Sequence, residues 1–176
     1  RRAEGDKVLL VCSAKTGISN LLEKLLKTSL SGDYKKILDD ILTSHRVLAE
    51  ELGISHYESV LSDELSKLSR YALGLSLLST CPPRIHAEVM ALGELMLSKL
   101  GQIFLQQQNT STYWLDARLK LKAEERTDNN IERAYLSATC KANFDAELLQ
   151  FLDTLAEPVV LTQGFISANS KGHTVL

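Results

Sequence analysis

The stretch Lys7-Val8-Leu9-Leu10-Val11-Cys12-Ser13-Ala14-Lys15-Thr16-Gly17-Ile18-Ser19-Asn20 decides how this chain is read. Lys7 to Cys12 is a continuous apolar run rich in Val and Leu, which predicts a β-strand buried on both faces. Ser13 to Asn20 follow as a loop of small polar residues. Leu21, Leu22, Leu25 and Leu26 then recur at helical spacing, with Ser19 or Asn20 placed to cap the helix. Strand, small-residue loop and helix form the first half of a βαβ unit. A loop leaving the carboxyl end of a buried strand is where open α/β sheets bind ligands.

Downstream the pattern turns helical. Tyr34, Ile37, Leu38, Ile41, Leu42, Leu48 and Leu52 trace one apolar stripe, and Leu61, Leu65, Leu68, Ala72, Leu75 and Leu78 a second, with Gly53 between them. These stripes predict a helical excursion over about residues 20–80. Pro82-Pro83 opens another helix, since proline suits the first turn, and that helix runs through Ile85, Val89, Met96, Leu100 and Phe104 to about Gln108. Thr112 to Leu115 read as a strand. Residues 119–141 are charged and weakly periodic, and no element is assigned to them. Asn143 is expected to cap a short helix through Ala146, Leu149, Leu152 and Leu155. Pro158 to Ile166 read as another buried strand, and Thr174-Val175-Leu176 as a strand returning from a turn. Buried strands alternating with helices point to an α/β sandwich with a largely parallel sheet.

Composition narrows the function classes. The 176 residues are 44% hydrophobic and 24% charged, enough apolar content for one domain with a real core. A net charge of -2 creates no field that favours nucleic acid or an anionic membrane. No segment is apolar for long enough to span a bilayer, and no signal peptide opens the sequence. Cys12, Cys81 and Cys140 stand far apart with no CxxC pair, so a reduced, cytoplasmic setting is expected. His45, His56, His86 and His173 lack metal-ligand spacing, which argues against zinc. The opening Arg1-Arg2-Ala3-Glu4-Gly5-Asp6, without Met, and the apolar run that stops at Leu176 suggest a piece of a larger enzyme domain.

Three segments could carry chemistry. In the first, Ser13 and Ser19 offer hydroxyls, the helix start offers free N–H groups that favour an anion, and Gly17 lets the backbone approach closely. The GxxxxGK[ST] spacing of a P-loop is absent, and a capped helix with no ligand explains this loop equally well. In the second, Gly93 sits inside a helix at a cost of about 1 kcal/mol relative to Ala, which implies close packing or a nearby ligand. Glu94 follows it among apolar neighbours; a buried carboxylate needs a partner, and a ligand ammonium is one, although a single helical Glu is more often solvated. In the third, Gly164 ends a buried strand and Phe165 either walls a pocket or is plain core. Asp116 and Arg118 read as a local ion pair.

These segments, in this order, resemble the aspartate kinase family. Lys7 to Asn20 is similar to that family's VVxSAxxGxTN segment, His86 to Ser98 resembles its GExxS helix, and Trp114-Leu115-Asp116-Ala117-Arg118 and Val160 to Ile166 match its later strand ends. The resemblance covers almost the whole chain, the helical middle in character only. It implies the three-layer αβα sandwich of the amino-acid kinase fold, and a parent enzyme that transfers the ATP γ-phosphoryl to the β-carboxylate of L-aspartate, the first step toward lysine, threonine and methionine. Under it, Ser13, Ser19, Glu94 and Phe165 are substrate-binding: the two serines hold the substrate, Ser19 in place of the family's usual Thr, Glu94 receives the α-ammonium, and Phe165 lines the pocket.

The family's KFGGTS strand-loop and GRGGSD loop are not found in these residues. Residues 1–176 are therefore expected to be part of a catalytic domain, without the catalytic Lys and Arg and with no activity of their own. ATP and Mg belong to the parent, some relatives of which are fused to diaminopimelate decarboxylase; neither is expected to bind here alone. Another amino-acid kinase, acting on glutamate, acetylglutamate or UMP, stays open, as does a non-catalytic helical module that packs on a partner. A homo-oligomer is compatible with either.

Overall fold

The computed structural model describes residues 7–125 and 130–176. The opening residues 1–6, and residues 126–129 of the charged stretch, lie outside the described residues.

A three-stranded parallel sheet organises the chain. Strands β1 (Val8–Cys12) and β2 (Thr112–Trp114) flank β3 (Val159–Gln163) in the order β1-β3-β2. Val8 pairs with Val159 and Cys12 with Gln163 on one side, while Thr112 pairs with Val159 and Trp114 with Leu161 on the other. Between β1 and β2 lie α1 (Ile18–Leu30), α2 (Lys35–Glu51), the short α3 (Tyr57–Val60), α4 (Ser62–Leu78) and the long α5 (Pro83–Gln107). Beyond β2 come α6 (Ala117–Lys120), α7 (Ile131–Leu136) and α8 (Ala146–Thr154), and after β3 the antiparallel pair β4 (Ser167–Ala168) and β5 (Thr174–Val175). The α/β class, the parallel sheet and the helical excursion stand as expected.

Helices cover the sheet on both faces. Trp114 turns toward α5, where its Nε1 donates to Ser98 Oγ at 2.9 Å. Tyr113, the adjacent residue, must face the other way, and it meets Phe151 of α8 edge-on at 6.0 Å. The main core lies on the α5 side, where Leu22, Leu25, Ile41, Leu61, Leu68, Leu92, Leu95, Met96 and Leu100 are buried. His45 completes the inner stripe of α2 between Ile41 and Ala49 and is fully buried.

Four local expectations are corrected. Strand β1 is not buried on both faces: it is an edge strand, and Leu9 and Val11 are 49% and 63% exposed. Within the three-stranded sheet, β3 alone, paired on both sides, is buried throughout. The start of α1 is not capped by Ser19 or Asn20. Gly17, at φ 85, ends the loop in the left-handed region open to glycine, and the serine and asparagine fall in the first helical turn. Asp145, not Asn143, caps α8 by accepting from the Leu148 N–H. Leu78, at the end of α4, is 67% exposed, outside the buried stripe. The charged stretch that gave no reading begins inside α6 and contains α7.

Candidate functional site

The parallel register brings the carboxyl ends of β1 and β3 to one level, so that Cys12 and Gln163 sit side by side. From that level three segments emerge: the loop Ser13–Gly17 into α1, the turn at Gly164–Ile166, and, packed across them, the middle of α5.

Gly93 explains the contact between α5 and the loop. A Cβ at this position would stand 3.1 Å from the Ala14 Cβ, 3.1 Å from Leu22 Cδ1 and 3.2 Å from Ile18 Cγ2. The missing side chain lets α5 lie directly on the loop and on the first turns of α1. Glu94, the next residue, is only 8% exposed, and its Oε2 has no hydrogen-bond partner. Burial pushes its carboxyl up to about 7. Its charge is felt at Cys12, whose thiol is pushed up first by burial and then by the Glu94 charge. An orphaned buried carboxylate beside a loop of free hydroxyls is an arrangement that lacks a cation.

Ser13 and Ser19 are both exposed. The loop is tied back at Lys15, whose Nζ donates to Ser44 Oγ at 2.8 Å and to the Ser44 carbonyl at 3.0 Å. Phe165 is neither plain core nor the wall of a closed pocket: it is 82% exposed and holds a φ of 51. A left-handed conformation at a bulky residue is uncommon and clusters at functional turns. Here the Ile166 N–H donates to the Gly164 carbonyl at 2.6 Å and closes the turn. The structure thus gathers Ser13, Glu94 and the Phe165 turn around the β1–β3 carboxyl end, with Ser19 in the first turn of α1.

One sequence reading changes and another stands. Ser98 stands four residues after Glu94, one more than the GExxS spacing, and its hydroxyl is bonded to Trp114 and Gln163. Asp116 and Arg118 do form the expected ion pair: Nε meets Oδ1 at 2.9 Å and a terminal nitrogen meets Oδ2 at 2.6 Å. Arg118 also donates to Thr174 Oγ1 at 3.1 Å, which ties the strand end to β5.

Two concavities lie away from these residues. One, of about 790 Å³, is lined by residues between Leu119 and Glu125 and between Cys140 and Leu148; the other, of about 370 Å³, lies beside Leu42, Tyr57 and Leu65. Among the described residues no group of His, Cys, Asp and Glu is disposed to hold a metal ion, and no helix is long and apolar enough to cross a membrane.

Comparison with known proteins bears on this arrangement. The lysine-sensitive aspartokinase 3 of Escherichia coli is 31% identical over 168 residues, 94% of this chain and 35% of that protein. Its crystal structure with aspartate and ADP superposes with a TM-score of 0.78 at 27% identity, over 96% of this chain and 36% of that one. The chain matches a segment of an aspartokinase in sequence and in fold. The bifunctional aspartokinase/homoserine dehydrogenase 2 of Escherichia coli is 29% identical over 96% of this chain and 20% of its own length. No family model matches the chain. The fold is thus the amino-acid kinase type seen in aspartokinases, and the chain spans about a third of the length of the aspartokinase 3 it matches.

Proposed function

We propose that this chain is the amino-acid-binding part of an aspartate kinase catalytic domain. The observation that carries the reading is Glu94: a carboxylate 8% exposed, with an orphaned oxygen, set by Gly93 against the loop that bears Ser13. The α-ammonium of L-aspartate would supply the missing cation and stabilise the ionised carboxylate. The hydroxyls of Ser13 and Ser19, together with the Ser19 and Asn20 N–H groups in the first turn of α1, would hold a substrate carboxylate. Phe165, presented on its strained turn, would shield the bound amino acid from one side. Each of these groups binds and orients; none transfers a proton or a phosphoryl group.

The similar aspartokinase crystallised with aspartate and ADP supports aspartate and ATP as the substrates of the whole enzyme. ATP would supply the phosphoryl group to the β-carboxylate, and such transfer depends on positioning and charge neutralisation. Mg would accompany the nucleotide, whose phosphates supply much of its coordination in kinases. The unpaired cysteines accord with a reduced cytoplasm. The fused relative named above joins its kinase to homoserine dehydrogenase, not to diaminopimelate decarboxylase, and we attach no fused activity to this chain.

Calorimetry of the chain with L-aspartate, L-glutamate and N-acetylglutamate tests the proposal. Aspartate should bind most tightly, acetylglutamate, which has no ammonium, should not bind, and Glu94→Gln should abolish the aspartate signal. Equal binding of acetylglutamate and aspartate would refute it.

A further inference from the structure

Gln163 ends β3 and is 1% exposed. Both ends of its amide are engaged. The oxygen accepts from the Ala117 N–H at 2.9 Å, which fixes the amide's orientation because a backbone N–H can only donate. The nitrogen donates to Ser98 Oγ at 2.9 Å. Ser98 is itself fully buried. It accepts a second bond from Trp114 Nε1 at 2.9 Å and donates to the Leu95 carbonyl at 3.1 Å, so its one donor and two acceptor positions are all filled.

The backbone around Gln163 is equally committed. Gln163 pairs with Cys12, the residue before Ser13, and the Gly164 N–H donates to the Cys12 carbonyl at 3.1 Å. Ser98 lies one helical turn beyond Glu94 on the same face of α5. Phe165 is two residues beyond Gln163. One buried side chain and its strand neighbours therefore join the three segments that carry Ser13, Glu94 and Phe165. An apolar residue would fill this space without needing partners; an amide bonded at both its oxygen and its nitrogen fixes one arrangement instead.

We propose that Gln163, acting through Ser98, is a positioning residue that sets the spacing between Glu94, the Ser13 loop and the Phe165 turn. It does not touch the substrate. The inference rests on the reading of Glu94 and Phe165 as substrate-binding, and its test has readouts that do not need that reading.

The test compares the wild-type chain with Gln163→Met, Ser98→Ala, Ser98→Thr and Glu94→Gln. The readouts are aspartate affinity by calorimetry, the Glu94 titration by carboxyl ¹³C NMR, and amide exchange at Gly164 and Ile166. Gln163→Met and Ser98→Ala should weaken aspartate binding about tenfold, the loss of roughly one buried hydrogen bond. They should also shift the Glu94 midpoint and speed exchange at both amides, while Ser98→Thr, which keeps the hydroxyl, restores wild-type behaviour. Glu94→Gln should abolish binding and leave exchange at Gly164 unchanged. If Gln163→Met does not fold, Ser98→Ala carries the test. Variants that melt earlier but keep the affinity, the Glu94 midpoint and the exchange ratios of the wild type would overturn the proposal. A wild-type chain that binds no aspartate would sink the functional reading alone; the Glu94 midpoint and the two amides would still decide the role of Gln163.

Discussion

The ammonium of Lys15 crosses from the loop after β1 to α2 and donates to both the hydroxyl and the carbonyl of Ser44, at 2.8 and 3.0 Å. No carboxylate pairs with it among the described residues, so the loop is held by two charge-assisted hydrogen bonds. Next to Ser44, the fully buried His45 donates from Nδ1 to the Ile41 carbonyl, 2.9 Å away, while its Nε2 has no partner. Burial lowers the pKa of His45, the Ile41 bond opposes that, and the Lys15 charge lowers it further. Lys15→Met should therefore loosen the loop, cost about 1–3 kcal/mol of stability, and let the His45 pKa rise. Urea denaturation and imidazole NMR measure the two effects. An unchanged exchange rate at Thr16 and Ile18 would rule out the tether.

Glu94 makes stability and binding respond to pH with opposite signs. Its folded pKa is raised from 4.5 to about 7 by burial. Between those values the folded state holds a proton that the unfolded state releases. Stability therefore falls as pH rises through this window and levels off above it, by at most ~3 kcal/mol from this one group. An ammonium ligand prefers the ionised carboxylate, so aspartate affinity should rise as pH approaches about 7 and flatten beyond. Glu94→Gln should remove this contribution to the stability slope. Calorimetry across about one pH unit on either side of the midpoint reads the binding arm; a flat affinity there would show that the carboxylate does not meet the ligand as an anion.

Three helical glycines separate packing from propensity. Gly93→Ala places a Cβ 3.1 Å from the Ala14 Cβ, which sits on the loop backbone and cannot swing aside. Overpacking of about 1–3 kcal/mol should outweigh the helix gain of about 1 kcal/mol and lower stability. Gly74→Ala, with nothing within 4 Å of the new atom, should instead stabilise by about 1 kcal/mol. At Gly101 the neighbour is a flexible Leu161 methyl at 3.3 Å, and the change should be near neutral. Thermal melts of the three variants check the order, and stabilisation by Gly93→Ala would refute the close contact.

Arg118 is not replaceable by lysine. Its guanidinium grips Asp116 at two points and Thr174 Oγ1 at a third, with Glu88 at 3.9 Å. A lysine keeps the charge but not the fork. Arg118→Lys should cost about 1–3 kcal/mol, partly by freeing β5 from α6. Burial pushes Asp116 upward, but the Arg118 bonds and charge outweigh it and leave its pKa lowered. The stability it contributes is present above the ordinary Asp range and lost as pH falls through the lowered value. The acid limb of a stability-versus-pH curve should move upward in Arg118→Lys.

The sequence displays elements governed by short-range pattern and hides those governed by distant partners. The apolar run Val159–Thr162 and the Pro83 start of α5 were legible because composition and a ring constraint act locally. Gly93 and Glu94 were legible as an anomaly, a poor helix former next to a charge on an apolar helix. The exposure of β1 was not, because Leu9 and Val11 read the same in an edge strand as in a central one. Ser19 was misread as a cap because Gly17 had already turned the chain. The roles of Ser98 and Gln163 depend on partners 65 residues apart, and no spacing rule reaches that far.

Strand β1 finds its parallel partner only when Val8 meets Val159, 159 − 8 = 151 residues later. The contacts of α1 with α2, α4 and α5 close far shorter loops and need no sheet. Chain-closure entropy therefore orders assembly in time: the helical cluster, with Gly93 already against Ala14, comes first, and the sheet last. In refolding, pulse-labelled amides of α1 and α5 should gain protection before Val160 and Gly164. The end of α5 that buries Glu94 would then exist while the Phe165 turn is still unfolded, so a nascent chain hides its carboxylate before it acquires the strand end beside it.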